Sequence, residues 1–337
     1  MNTHALIILF LFAAPFNHVN AAVMLAPGTV LPGQAYIDKG AEYADRIVAI
    51  RRVSATGIIS YATGIKLTPY HVLLPAHVID SLSGFRPPER LKVLIGTNFF
   101  SPQRTLDVAS YATHPTYVSG SNSVGGSVMD MAILKTSLAM QGPFAKLAIN
   151  PVANGVTITY AGYGMPGLSF DSATTHDGSL RAFRGVTTNP TSQFDDSMYG
   201  ATFASVSLGL SLPGSGSAGD SGAGGFVSDN EIAFMATSGA GNSFTFGIDL
   251  ATTAARAFIS ANTVMPDPPR FAVDLVAGSA QLSLSNLLSG REYSVMRSPT
   301  LSGWQEARRF TATAPTESWS EPISPGGRMF YRYEWTE

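Results

Sequence analysis

The sequence contains no cysteine, so no disulfide bond can staple its loops. A chain of 337 residues can still bury enough surface to fold without such links. Charged residues are scarce too, at 13% of the total with a formal net charge of -2, which argues against binding of nucleic acid. The histidines lack the spacing of a zinc-binding helix and no acidic cluster resembles a calcium loop, so we predict no metal and no cofactor.

Long apolar runs are also missing. The apolar run at 5–14 is too short to span a bilayer, and no later segment is long enough. The tripeptide Val19-Asn20-Ala21 follows it and fits a cleavage site after Ala21 or Ala22. This pattern predicts a secretory signal peptide over 1–21 and a secreted or periplasmic protein with no membrane contact after cleavage. No Lys or Arg precedes the apolar run, which leaves an uncleaved anchor as the alternative.

The chain is rich in Gly, Ser and Thr and carries short strand-like runs without a long 3.6-residue period. These features predict an all-β protein built of barrels or sandwiches. The best helical candidate is the alanine-rich segment 250–259.

A serine flanked by glycines is the first candidate for chemistry. The segment Gly-Asp-Ser-Gly at 219–222 can turn tightly around the Ser221 hydroxyl and leave backbone amides unpaired, as a nucleophile beside an oxyanion site requires. The alternative is a plain surface turn. Because all six histidines precede Ser221, the chain order Ser, acid, His of α/β-hydrolases is impossible, and any histidine base must come from upstream.

Two upstream residues could complete such a site. His77 ends an apolar run, and Asp130 heads one, where an ionised carboxylate must be paired or hydrogen-bonded. A neutral imidazole that needs one ring N–H held in place is a fitting partner for that carboxylate. Taken alone, His77 could equally be a core histidine at the end of a buried strand.

Three short segments resemble the trypsin-like (chymotrypsin-fold) serine peptidases, in that family's order, and the stretch 35–43 resembles the lead-in of the bacterial secreted members. The three segments are Leu-Pro-Ala-His at 74–77, Asp-Met-Ala-Ile-Leu at 130–134 and Gly-Asp-Ser-Gly at 219–222. Three further segments of this sequence are similar to landmarks of the family. They are His-Pro-Thr-Tyr at 114–117, Ala-Gly-Tyr-Gly at 161–164 and Thr-Ser-Gly at 237–239. The similarity covers about residues 34 to 262 and implies two six-stranded antiparallel β-barrels with a closing helix.

The resemblance implies a catalytic triad of His77, Asp130 and Ser221. Ser221 would attack the scissile carbonyl, His77 would act as general base and then general acid, and Asp130 would orient the imidazole. The backbone N–H groups of Gly219 and Ser221 would form the oxyanion hole.

The resemblance also implies substrate contacts. Ser215, six residues before the nucleophile, would floor the primary specificity pocket, and without a carboxylate there a neutral, apolar or aromatic substrate side chain is expected. The alternative is that the loop aligns differently and Ser215 is an ordinary loop residue. Ser238 and Gly239 would pair with the substrate backbone.

Two departures from the family pattern bear on the site. Pro75 replaces a small residue and could reshape the turn that aims His77. In many members the residue equivalent to Asp220 receives the ammonium of a proteolytically freed N-terminus. Here Arg46 precedes an apolar run but lies too close to His77, so we expect no cleavage there. The partner of Asp220 is then either an internal cation or a set of hydrogen bonds.

The composition changes after residue 262. Residues 263–270 read as a proline-rich linker, and all three tryptophans, Trp304, Trp319 and Trp335, follow it. Alternating patterns at 281–284 and 329–335 predict strands. We therefore predict a peptidase domain at 22–262 and, after the linker, a small β-sandwich accessory domain at 271–337. Its aromatics would either form the core or offer a platform to a polysaccharide or another surface.

Two classes of function fit these residues. The first is a secreted serine endopeptidase that hydrolyses protein or peptide substrates through an acyl-enzyme, with ester hydrolysis by the same serine as a variant of it. The second is a catalytically silent or latent member of the fold that acts as a binding or scaffold protein.

Overall fold

The computed structural model describes residues 22–24, 33–80, 84–118, 129–167, 176–188, 199–203, 208–240, 244–264, 270–276, 278–288, 290–322 and 328–335. Most regular structure in these residues is β-strand, as predicted. The predicted signal peptide at 1–21 and most of the predicted linker lie outside the described residues. In the part of the chain that is described, no helix has the length and apolarity needed to cross a membrane.

A strand, β1 (Ala22–Met24), and a helix, α1 (Gly33–Ala41), precede the barrels. α1 packs so closely on the chain at Arg181 that a side chain at Gly40 would collide with backbone atoms there. Glycine is therefore required at this contact.

The first barrel is closed and consists of six antiparallel strands. They are β2 (Ile47–Val53), β3 (Ile59–Lys66), β4 (His71–Leu74), β5 (Leu91–Ile95), β6 (Arg104–Thr113) and β7 (Ala132–Thr136), in the ring order β2-β3-β4-β7-β6-β5. Alternate residues of β2 point to opposite faces. Val48 and Ile50 join the barrel core, whereas Ile47 and Ala49 join a cluster shared with the second barrel. β2 is thus buried on both faces because it lies where the barrels meet.

The second barrel is also a ring of six strands. The strands that follow the first barrel are β8 (Lys146–Leu147), β9 (Thr157–Gly162), β10 (Pro166–Gly167), β11 (Arg181–Thr188), β12 (Tyr199–Phe203), β13 (Gly214–Ser215), β14 (Gly224–Phe226), β15 (Glu231–Ala240) and β16 (Phe244–Asp249). The order β14-β9-β11-β12-β16-β15 closes because β14 pairs with both β9 and β15. β8 adds to β15, and β1 pairs with β10 and β13 in a separate small sheet. The predicted pair of barrels is confirmed.

The helix after the second barrel, α3 (Thr253–Asn262), starts and ends three residues later than predicted. Thr252 has an extended backbone, and its side-chain oxygen accepts a hydrogen bond from the backbone N–H of Ala255. This cap satisfies one of the free N–H groups of the first turn and fixes where the helix begins. The apolar pattern at 250–252 therefore precedes the helix.

The C-terminal residues form two three-stranded antiparallel sheets, as predicted for a small β-sandwich. The strands are β17 (Arg270–Val276), β18 (Ser279–Ser285), β19 (Glu292–Ser298), β20 (Gln305–Thr311), β21 (Thr316–Pro322) and β22 (Phe330–Trp335), in the orders β17-β18-β21 and β20-β19-β22. Their core contains Leu284, Tyr293 and Val295. The guanidinium groups of Arg332 and Arg308 stack over the rings of Trp304 and Trp319.

Replacing Ile65 by alanine tests the packing between the barrels. Ile65 is fully buried in the shared cluster, so we expect Ile65→Ala to lower the free energy of unfolding by about 2–5 kcal/mol. Ile58 lies just before β3, the strand that contains Ile65, and is 68% exposed. Ile58→Ala should therefore change the free energy of unfolding by less than about 1 kcal/mol. Urea titration followed by circular dichroism is the suitable measurement, because every tryptophan lies in the C-terminal sandwich. Equal losses in the two variants would contradict this packing.

Candidate active site

The strand pairing of the first barrel brings His77 and Asp130 together. β4 leads into a short helix, α2 (Ala76–Ile79), which carries His77 on its first turn. β4 pairs with β7, and Leu74 lies opposite Ala132, so the segment after β4 and the segment before β7 are neighbours. His77 and Asp130 belong to these two segments. Pro75 precedes α2 with φ -67°, the value that a proline ring imposes, so the helix starts at Ala76 without strain at this position.

The side chains of His77, Asp130 and Ser221 form a continuous hydrogen-bonded chain. One carboxylate oxygen of Asp130 lies 2.6 Å from Nδ1 of His77, and the other accepts the backbone N–H of His77 at 2.9 Å. Nε2 of His77 lies 2.9 Å from Oγ of Ser221. With Nδ1 protonated and donating to the buried carboxylate, Nε2 presents a lone pair to the serine hydroxyl. The two contacts of Asp130 thus fix both the position and the tautomer of the imidazole.

The loop that carries Ser221 depends on two glycines with left-handed backbone conformation. Gly219 has φ +100° and Gly222 has φ +95°, values that other residues rarely adopt. A Cβ at Gly222 would collide with the carbonyl oxygen of Thr63. Among the described residues, no acceptor pairs with the backbone N–H of Gly219 or of Ser221. These two amides are therefore free to bind a developing oxyanion.

Thr63 holds this loop, although the sequence analysis did not single it out. Its backbone N–H donates to the carbonyl of Ser221 at 2.9 Å, and its hydroxyl donates to the carbonyl of Gly219 at 2.7 Å. The same hydroxyl accepts the N–H of Tyr163 at 3.0 Å. Thr63 is fully buried in β3 of the first barrel, so it links the nucleophile loop of the second barrel to the barrel that carries His77. A single threonine within a strand gives no sequence signal for such a role.

Asp220 is buried and bound by hydrogen bonds. Its two carboxylate oxygens accept backbone N–H groups from Gly164 at 2.8 Å and Ser217 at 2.9 Å. In the described part of the chain, no Lys, Arg or His forms an ion pair with it. Burial raises the pKa of Asp220 to about 6. Of the two partners that the sequence left open, the hydrogen bonds are the direct contacts, and the more distant positive charge of Arg181 adds a weaker effect that lowers the pKa of Asp220.

Arg46 lies just before a strand and not in an open loop. Ile47 begins β2, is fully buried and lies opposite Ile65, and the carbonyl of Arg46 accepts the N–H of Lys66 at 2.8 Å. A cut after Arg46 would release a paired barrel strand. The absence of cleavage at Arg46 stays a prediction.

The residues expected to contact substrate lie on two different strands, β13 and β15. Ser238 and Gly239 belong to β15, which pairs with β16 along one edge, and no described strand covers the other edge from 238 to 240. Ser215 lies on β13 and is 1% exposed. It is not among the residues that line the cavity next to Ser221.

The described residues contain no group of three or more His, Cys, Asp or Glu side chains that could hold a metal ion.

Comparison with known proteins places the fold. No protein-family model matches the sequence, and no curated protein does. Among solved structures, a protein called GrC aligns with a TM-score of 0.53 at 14% identity, over 66% of this chain and 96% of its own. Mouse neuropsin, a serine protease expressed in the limbic system of the brain, aligns with a TM-score of 0.51 at 14% identity over the same shares. A mutant of human heparin-binding protein gives 0.50 at 15% identity, over 68% of this chain and 96% of its own.

At these identities the similarity shows the fold alone. The chain has the chymotrypsin-like fold of serine proteases, and a further β domain follows it.

Thr63→Val tests whether Thr63 positions the nucleophile loop. Valine keeps the shape but removes the hydroxyl, so the Gly219 carbonyl and the Tyr163 N–H both lose a partner. We expect the rate at which a fluorophosphonate reacts with Ser221 to fall about 10- to 100-fold, while circular dichroism stays unchanged. Thr63→Ser keeps the hydroxyl and should react within about threefold of the parent rate. Equal rates for the valine and serine variants would contradict the role of the hydroxyl.

Asp220→Asn tests the effect of the buried carboxylate on stability. Its pKa rises from 3.8 in the unfolded chain to about 6 in the folded protein. Between about pH 4 and about pH 6 the folded state therefore binds more protons, and the contribution of Asp220 to the free energy of unfolding falls as the pH rises. We expect the difference in unfolding free energy between parent and variant to change by about 2–3 kcal/mol from pH 4 to pH 7. Parallel pH profiles in urea titrations would rule this out.

Proposed function

We propose that this protein is a secreted serine endopeptidase. The proposal rests chiefly on the continuous hydrogen-bonded chain from Asp130 through His77 to Ser221. Two free backbone amides beside the Ser221 hydroxyl supply the second requirement of acyl transfer, a place for negative charge. The fold also supports the proposal, because His77, Asp130 and Ser221 meet between two barrels, as the catalytic residues of serine proteases do.

Acylation follows from this geometry. Oγ of Ser221 attacks the carbonyl carbon of the scissile peptide while its proton moves to Nε2 of His77, 2.9 Å away. The carbonyl oxygen takes up the electron pair and is stabilised by the N–H groups of Gly219 and Ser221. When the tetrahedral intermediate collapses, the C–N bond breaks and the leaving amine takes the proton from Nε2. The acyl group stays on Oγ.

Deacylation repeats these steps with water. A water molecule gives its proton to Nε2 and attacks the ester carbon, and Ser221 leaves with that proton. Throughout both halves Asp130 stays ionised and balances the positive charge of the imidazolium through its contact with Nδ1. The negative charge and the proton therefore return to their starting positions after each turnover.

The edge of β15 that no described strand covers suits a peptide substrate. An extended peptide can add to the free edge at 238–240 and form backbone hydrogen bonds there, with Ser238 and Gly239 as its partners. Such pairing needs no particular side chain, so it supports cleavage of many different protein segments. Selectivity must then come from the cavity that receives the side chain next to the scissile bond.

Export is part of the proposal. It rests on the apolar run at 5–14 and the cleavage pattern that ends at Ala21. The C-terminal sandwich would travel with the peptidase as an accessory domain. The proposal extends to a polysaccharide or surface contact through the aromatic residues of this domain, at ring faces other than those on which Arg308 and Arg332 stack.

Alanine variants of Ser221 and His77 test the proposed function. We expect both to lose at least about a thousandfold in kcat/KM on a denatured protein substrate such as casein, because each removes a group that bonds or transfers a proton in the transition state. Ser211→Ala and His114→Ala change a serine and a histidine outside the hydrogen-bonded chain and should keep the parent rate. Circular dichroism must be the same for all variants.

Two outcomes would contradict the proposal. One is hydrolysis by the Ser221→Ala variant at the parent rate, which would assign the chemistry to another group. The other is a folded, processed parent protein that hydrolyses no protein or peptide, which would favour a binding or scaffold role.

A further inference from the structure

One edge of the C-terminal sandwich carries exposed apolar side chains. In the described residues, β17 and β21 lie at the edges of one sheet, and β20 and β22 lie at the edges of the other. Val273, Leu275 and Val276 of β17 are 41%, 77% and 53% exposed, whereas no large apolar side chain described on the other three strands is exposed. β17 therefore differs from the other edges.

The other three edges carry features that keep foreign strands away. An edge strand presents unpaired backbone N–H and C=O groups, which pair with another chain unless charge, proline or a bulge prevents it. β21 contains two glutamates and ends at Pro322, and β22 contains Arg332 and Glu334. β20 contains two arginines and a glutamate, and its register with β19 is shifted. β17 has no proline, and it pairs with β18 at seven consecutive positions without a shift, so its edge is regular.

The exposed side chains of β17 include two that point to the core side of the sheet. Val273 lies opposite Leu282 of β18 and Leu275 lies opposite Ala280, and both of these β18 residues are buried. Residues directly opposite each other in an antiparallel pair point to the same face. Phe271, on the same face, packs against the core of the sandwich. The inward face of β17 is therefore covered at its beginning and open at its end.

The charges of β17 are complementary to those of a second, antiparallel β17. With Ala272 of one copy opposite Ala272 of the other, Arg270 of each copy lies opposite Asp274 of its counterpart. Opposite charges therefore meet twice, and no like charges lie opposite each other. A register centred on Val273 would instead place Arg270 opposite Val276 and Asp274 opposite Ala272. Charge pairing thus selects the register centred on Ala272.

We propose that the open edge of β17 binds β17 of a second copy of this chain and joins the two three-stranded sheets into one continuous sheet. A two-fold axis perpendicular to the sheet relates the copies, so both inward faces stay on the same side. Phe271 of each copy then lies opposite Val273 of the other and diagonally from Leu275, and it covers apolar surface that one copy alone leaves open. The contact involves no residue of the site at Ser221, so it stands apart from the proposed function.

Sedimentation equilibrium of the purified mature protein tests for the second copy. The contact consists of one strand edge per copy, which is small for a protein interface, so we expect a reversible dimer with a dissociation constant of about 10–100 µM. The average mass should rise from that of one chain toward that of two between about 1 and about 200 µM. All samples carry Ser221→Ala, so that self-cleavage does not change the mass.

A charge placed at the two-fold axis tests the register. Ala272 is exposed on the outward face of β17, so Ala272→Lys and Ala272→Glu should leave the folded chain intact. Either variant alone brings two like charges face to face in the dimer, and we expect the dissociation constant to rise at least about tenfold. An equal mixture of the two variants pairs opposite charges and should associate within about threefold of the unsubstituted value. Ile149→Lys, at a position outside the sandwich that is 76% exposed, is the matched control and should leave association unchanged.

Hydrogen exchange followed by mass spectrometry locates the contact on the backbone. Amides of 270–276 that face the open edge gain carbonyl partners in the dimer, so this segment should exchange more slowly at about 200 µM than at about 1 µM. The difference should be absent from Ala272→Lys.

The mass of one chain at every concentration would overturn the proposal and leave the edge of β17 to a strand of a different protein. A dimer that both Ala272 variants leave unchanged, or two variants that fail to associate when mixed, would overturn it as well. None of these results bears on hydrolysis, which the parent protein and casein test separately.

Discussion

The rest of the site depends on the contact between the two barrels at Thr63. His77 and Asp130 come from the first barrel and Ser221 from the second, so the 2.9 Å between Nε2 and Oγ is set by how the barrels join. Thr63 binds the nucleophile loop at the carbonyls of Gly219 and Ser221, and the shared apolar cluster fixes the surrounding strands. Each such hydrogen bond contributes only about 1 kcal/mol to stability, but each also fixes a peptide group adjacent to one that supplies an N–H to the oxyanion site. Stability and geometry are therefore supplied by the same contacts.

Asp220 completes this arrangement from within the second barrel. Its carboxylate is removed from water and bound by two backbone amides on either side of the loop, which holds the turn that exposes the N–H groups of Gly219 and Ser221. Burial raises its pKa in spite of the hydrogen bonds and the charge of Arg181, so the folded chain carries the cost of an ionised carboxylate above about pH 6. The backbone of the loop is not strained, because the two positions with positive φ, 219 and 222, are glycines. The loop thus combines a costly charge with a backbone conformation that costs little.

The sequence predicted the parts of the site that short motifs encode. His77, Asp130 and Ser221 stand in segments whose residue types are unusual for their surroundings, and the two barrels follow from the resemblance of those segments to a known fold. Thr63 could not be found in this way, because a threonine in a strand is ordinary and its partner Gly219 lies 156 residues away in the sequence. The start of α3 was misplaced because the apolar pattern runs through the cap residue Thr252. Long-range hydrogen bonds and helix caps are set by tertiary structure, which periodicity does not report.

The activation of Ser221 by His77 is tested most directly by reacting the purified mature protein with a fluorophosphonate probe and mapping the adduct by mass spectrometry. We expect a single adduct on Ser221 that is absent from His77→Ala, because only the serine bonded to Nε2 is activated. A folded protein that forms no adduct, or an adduct on Ser221 that persists unchanged without His77, would contradict it.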